Sequence, residues 1–208
     1  MSLSFLKKIT TLAGVAVIAA GSLSGVNTYA QSANVTANLT VTAGALTITA
    51  DASAPLTCTP ACTVSTTTQT AAGNITNAQV TDLRGSNLPW SVVMTATNFA
   101  NTPTNTSFIN LCAATGTCAT TSRLTVTPAA ITNVSGQTFT GTDNTSSQNV
   151  TTLTAIGNAT GVSNNFSIGS ATAGGNQGVY RKNIGLSLTL PAFTANATYN
   201  STMVLTVS

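Results

Sequence analysis

The stretch that decides the fold runs from Asp82 to Phe99 and reads DLRGSNLPWSVVMTATNF. From Trp90 onward its residues alternate. Trp90, Val92, Met94 and Ala96 fall on one side, and Ser91, Val93, Thr95 and Thr97 on the other. A period of two residues is that of a β-strand, not of a helix. Both sides carry some apolar residues, so the strand is expected at or near the centre of a sheet. Asp82 and Arg84 stand just ahead of it. Only 4% of the chain is charged, so an acid and a base beside the sole tryptophan call for a reason. In an extended segment the two side chains point to the same face. They are expected to brace the turn that starts at Gly85, with Arg84 bonding turn carbonyls or Asp82.

Outward from this stretch the same pattern recurs. In NVTANLTVTAGALTITA (34–50), Val35, Ala37, Leu39 and Val41 share one face, and beyond Gly44 the apolar parity moves to Leu46 and Ile48. A one-residue slip of this kind marks a bulge or a tight bend. Residues 51–74 read as a polar connection, and ITNAQVTDLRG (75–85) as a short strand. Residues 98–164 are turn-rich and irregular, apart from a strand expected in RLTVTPAAI (123–131). In NQGVYRKNIGLSLTLPAF (176–193), Ile184, Leu186, Leu188 and Leu190 share a face; in the closing STMVLTVS, so do Met203, Leu205 and Val207. Beyond residue 30 no segment has a helical period. The expected fold is all-β: a single sandwich of antiparallel strands over residues 31–208, with long irregular central loops.

Composition agrees. Hydrophobic residues make up 42% of the chain but aromatic ones only 5%, so a core must be built of Val, Leu, Ile and Ala. That hydrophobicity and low charge argue against disorder. The first thirty residues carry Lys7 and Lys8, an uncharged apolar run richest from Leu12 to Ala20, and a small residue at Ala30. This is the layout of a cleaved secretory signal, and it implies export. Its Gly, Ser and Thr content weighs against a retained membrane anchor. Removing it leaves Arg84, Arg123, Arg181 and Lys182 against Asp51, Asp82 and Asp143, a net charge of +1. So weak a charge cannot neutralise a row of phosphates, and nucleic acid is not an expected partner. Four cysteines in an exported chain suggest disulfides, with three possible connectivities. CTPAC (Cys58, Cys62) and CAATGTC (Cys112, Cys118) each look like a loop tip, which favours two local pairs. The spacing does not suit common zinc sites, and no cofactor or metal is expected.

The inventory of catalytic groups is thin. Glu and His are absent, and the three Asp residues lie far apart in sequence. A Ser or Cys nucleophile would lack its usual His base. The glycines near ATAGGNQG follow no strand–loop–helix context that would cradle phosphate. The chain is not expected to be an enzyme. Sequons such as those at Asn38, Asn74, Asn133 and Asn196 are frequent, as chance dictates in an Asn- and Thr-rich chain. After Val207 only Ser208 remains, with no apolar tail or sorting motif, and no cysteine stands at the cleavage point. Attachment to a cell is therefore expected to be non-covalent or through self-association.

Three segments together resemble the WxL domain family, secreted modules that bind the bacterial cell wall. VTAGALTITA is similar to the family's opening strand. VTDLRGSNLPWSVVMTATNF is similar to its Asp-x-Arg-Gly turn and Trp-x-Leu motif. YRKNIGLSLTLPAFTANATYNSTMVLTVS is similar to its closing strands. The chain departs from the family at Trp90–Val92, which reads Trp-Ser-Val, and at the final VLTV, which lacks a second Trp. The resemblance implies a β-rich fold and non-covalent attachment to peptidoglycan at the cell surface. On that reading Trp90, Val92 and Tyr199 are the candidate ligand-binding residues, since Trp and Tyr join an apolar body to a polar handle. Against it, Trp90 shares its face with Val92 and Met94, which favours burial. The alternative is a self-associating surface subunit or adhesin, because few charges leave sheet edges open to strand addition.

Overall fold

The computed structural model describes residues 38–208 except 114, 115, 119 and 175. The expected signal segment, and Val35 and Ala37 of the first expected strand, lie outside the described residues. Asn38 to Thr40 carry no strand, and Val41–Ser208 form a compact unit.

That unit is all-β, with no helix among the described residues. Seven strands form the larger sheet: β1 (Leu46–Thr49), β2 (Thr57–Cys58), β3 (Gln69–Asp82), β8 (Leu124–Pro128), β9 (Thr132–Gly136), β11 (Gln148–Asn149) and β14 (Gly178–Leu190). Four form the second: β4 (Trp90–Ala96), β10 (Gly141–Asp143), β13 (Phe166–Ala171) and β16 (Met203–Val207), in the order β10-β13-β4-β16. β5 (Phe99–Asn101), β6 (Phe108–Ile109) and β15 (Tyr199–Asn200) make a small third sheet, and β7 (Gly116–Thr117) pairs with β12 (Thr152–Leu153). β4 lies between β13 and β16, as its two-sided apolar content implies.

The spine is the antiparallel pair β3–β14. β3 is longer than expected, because the supposed connection up to Asn74 is strand from Gln69 onward. Midway the register shifts: Lys182 faces Ala78 but Ile184 faces Ile75, so Thr76 and Asn77 together oppose Asn183. Asn77 takes the extra residue's left-handed conformation (φ 55°), which Asn tolerates, and its N–H bonds the Asn183 side chain at 3.3 Å. The bulge divides the spine. On one side β1 and β9 flank it; on the other β2 and β8 do.

Two further expectations are corrected. Leu39 and Val41 belong to no strand and are exposed, 88% and 82%; β1 starts only at Leu46. The bend read at Gly44 has a steric cause: a Cβ there would lie 2.6 Å from Leu83 Cβ, and the Gly44 N–H bonds Leu83 O at 2.8 Å. The central segment is also less irregular than it reads. It contains eight short strands, of which β8, β9 and β11 join the larger main sheet and β10 the smaller. β8 is the strand expected in residues 123–131; the others have Thr-, Asn- and Gly-rich sequences with little apolar contrast, so alternation does not reveal them.

The core lies between the sheets. Ile75, Val80, Leu124, Val126, Ile184 and Leu186 from the larger sheet meet Val92, Met94, Phe166 and Ile168 from the smaller. Alternate inward residues from two facing sheets are how a sandwich excludes water. Lys182 lies in the same layer, its side chain 4% exposed. Its Nζ donates to Asp143 Oδ1 (2.5 Å), Asn144 O (2.7 Å) and Ile168 O (2.7 Å), so all three ammonium protons are accepted.

Candidate functional site

Trp90 is 3% exposed and Val92 4%, so neither can meet a ligand. This corrects their assignment as binding residues. Trp90 packs with Phe139 and Tyr180, ring centroids 5.6–5.9 Å apart. Its indole N–H is buried, with no hydrogen-bond partner among the described residues. The Tyr180 hydroxyl donates to Gln137 O at 2.9 Å, and burial, with Asp82 nearby, raises its pKa. The aromatic trio fills the end of the sandwich flanked by β1 and β9.

Asp82 and Arg84 sit beside it as a direct ion pair. The Asp82 carboxylate, 3% exposed, accepts the Arg84 backbone N–H (3.1 Å), Nε (3.0 Å) and Nη2 (2.9 Å). Arg84 Nη2 also donates to Leu88 O at 2.9 Å. Gly85 and Asn87 turn the chain with positive φ, 69° and 50°. The hydrogen bonds from Arg84 hold the Asp82 carboxyl below its ordinary pKa. This constellation clamps a turn and presents no free acid or base.

The opposite end of the spine is open. There a groove of about 300 Å³ runs over Leu56, Ala71, Phe99, Ile109, Leu188 and Leu190. One wall is the loop from Cys62 to Val64, the other the connector from Thr194 to Tyr199. Both cysteine pairs are local disulfides, Cys58–Cys62 (Cα–Cα 5.0 Å) and Cys112–Cys118 (5.6 Å). The first stiffens the groove wall; the second is buried in the core. The walls are tied where the Phe193 N–H donates to Ser65 O at 2.7 Å.

Tyr199 lines this groove and is half-buried, its hydroxyl donating to Ala195 O at 3.1 Å. Of the three candidate binding residues it alone lies at an open site. Phe193 immediately precedes the connector, 72% exposed and in the left-handed region (φ 58°). An aromatic residue held there carries strain of order 1–3 kcal/mol. Sequence reasoning missed it, since PAFT reads only as a turn. Thr63, Thr194, Asn196 and Thr198 supply hydroxyls and an amide, and no charged residue lines the groove. Such a surface can stack an apolar ring face and hydrogen-bond neutral polar groups.

These features define a disulfide-bonded two-sheet β protein with an uncharged aromatic groove at one end. No family model matches the chain, and neither does any curated protein or solved structure.

Proposed function

We propose that the protein is a secreted bacterial surface module of WxL type that holds neutral cell-wall glycan non-covalently in the Tyr199 groove. The observation that carries this reading is the half-buried Tyr199 at an open groove whose lining holds Thr and Asn and no charged residue. A sugar ring offers C–H faces to aromatic rings and hydroxyls to amides. It needs no charged partner, which suits a surface with almost none. The role is binding without catalysis. The resemblance supplies peptidoglycan as the glycan, and the groove replaces Trp90 and Val92 as the place of contact.

Purified peptidoglycan sacculi test this by co-sedimentation. The protein is expected in the pellet. Tyr199→Ala removes an aromatic ring that lines the groove, so it should weaken retention roughly tenfold, as loss of one stacking contact does. Retention no greater than that of an unrelated exported protein would sink the reading.

A further inference from the structure

We propose that copies of this protein join by strand donation, the segment holding Leu39 and Val41 of one copy adding to the free edge of β16 in another. This goes beyond the glycan reading and does not depend on it.

The acceptor edge follows from the register. Ser91 and Ser208 exchange both backbone hydrogen bonds, at 2.8 and 3.0 Å, and Val207 faces Val92. In an antiparallel pair such exchanging residues recur every second position. Val204 and Thr206 therefore bond β4, while Met203, Leu205 and Val207 turn their N–H and C=O groups away from it. β16 ends its sheet; β1 approaches it across the core, but no strand among the described residues pairs with that side. Unpaired ladder groups of this kind are a template for another strand. Natural edges are defended by Lys, Pro or a bulge; residues 201–208 contain no charge or proline, and the β16–β4 register is unbroken.

The edge also has an apolar side to be covered. Next to β16 a cleft of about 450 Å³ has Ile75, Phe99, Met203 and Leu205 on its apolar side, with Tyr199 at one end. Its other wall is the segment from Ala50 to Leu56, which includes Asp51.

The donor is on the same chain. Leu39 and Val41 alternate with Asn38, Thr40 and Thr42, and both apolar side chains stand in solvent. A strand with that pattern, laid along β16, directs Leu39 and Val41 to the side of Met203 and Leu205, toward the cleft, and Thr40 to water. It is uncharged, so nothing repels it from an uncharged edge. Alternating Thr and branched aliphatic residues favour the extended form such pairing needs.

Analytical ultracentrifugation across a concentration series, with site-directed cross-linking, tests the proposal. The purified protein should pass from monomer to dimer and higher species as concentration rises. Val41→Asp, at an exposed position, should stay monomeric at those concentrations with an unchanged Tm. A tagged Thr40→Cys chain mixed with untagged Val204→Cys or Thr206→Cys chains should give a disulfide-linked heterodimer under mild oxidation. Two results overturn the proposal. One is a wild-type protein monomeric throughout the series. The other is a Thr40→Cys/Val204→Cys double variant that closes its new disulfide within a single chain. At a concentration where the wild type is monomeric, sacculus binding by Val41→Asp should equal that of the wild type, so failure here is separable from failure of the glycan reading.

Discussion

Replacing Asp82 by Ala removes the acceptor at the centre of the turn clamp. Three hydrogen bonds disappear: one from the Arg84 amide and two from its guanidinium. A neutral hydrogen bond contributes about 0.5–1.5 kcal/mol net and a charged one about 1.5–3. Breaking a fully buried ion pair costs about 3–5 kcal/mol, because the survivor keeps an uncompensated charge. Arg84 is spared part of that cost, since its side chain is 22% exposed and Nη2 keeps Leu88 O. The expected loss is therefore about 2–3 kcal/mol, below the sum of the separate bonds. For a domain of this size that lowers Tm by about 4–12 °C. Trp90, the only tryptophan, lies a few residues beyond the clamp and is buried, so its fluorescence reports urea unfolding directly. The pH dependence has a definite sign. The Asp82 pKa is lowered in the fold, so its contribution is fully present above the unfolded carboxylate value near 4 and fades as pH falls through the folded value. Wild type and Asp82→Ala should thus differ most at neutral pH and converge in acid below about pH 4. A Tm drop under about 1 °C at pH 7, or a gap that widens on acidification, would refute the clamp.

Other substitutions have equally definite outcomes. Asn98 is 1% exposed; its amide donates to Ala155 O (2.9 Å) and Asn158 O (3.1 Å) and accepts the Leu111 N–H (2.9 Å). Asn98→Ala should cost about 2–4 kcal/mol in urea unfolding, since it orphans buried backbone groups of two loops. Lys182→Met should cost about 1–3 kcal/mol, because the chain stem is replaced in kind while Asn144 O and Ile168 O lose their donor; Lys182→Ala should lose more through the cavity it opens. Cys58→Ser/Cys62→Ser should lower stability by no more than about 2 kcal/mol, given the short loop. Its larger effect is expected in sacculus co-sedimentation, where a slack groove wall weakens retention.

Sequence alternation reveals a strand only where inward and outward residues differ in kind. β4 and β16 meet that condition, and so does β14 from Ile184 onward. The first half of β3 does not: Gln69 to Asn74 sets small Ala and Gly against Thr and Asn, so its pairing with β14 is invisible without the partner. Lys182 was not singled out from the sequence, although a signal was there. It shares parity with Tyr180, Ile184 and Leu186, and a charge at an inward position signals a buried partner; which partner was not legible, since Asp143 lies 39 residues away. Trp90 carried both an alternation that buried it and a family motif that advertised it, and the alternation decided. Phe193 could not be found, because its interest lies in a backbone angle rather than in any pattern of residues.

The ammonium between the sheets has a further consequence for how the chain finds one alignment. Strands built of Thr, Val, Leu and Ala are nearly interchangeable under a slide of two residues, which returns every side chain to its own face. Hydrophobicity alone would tolerate such a slide of β14 against its neighbours. Lys182 does not, because two residues of travel carry it about 7 Å from the oxygens of Asp143, Asn144 and Ile168. An unpaired charge in that layer costs several kcal/mol, more than a sliding strand could recover. In a chain almost without charges, this one buried cation acts as the notch that fixes the spine.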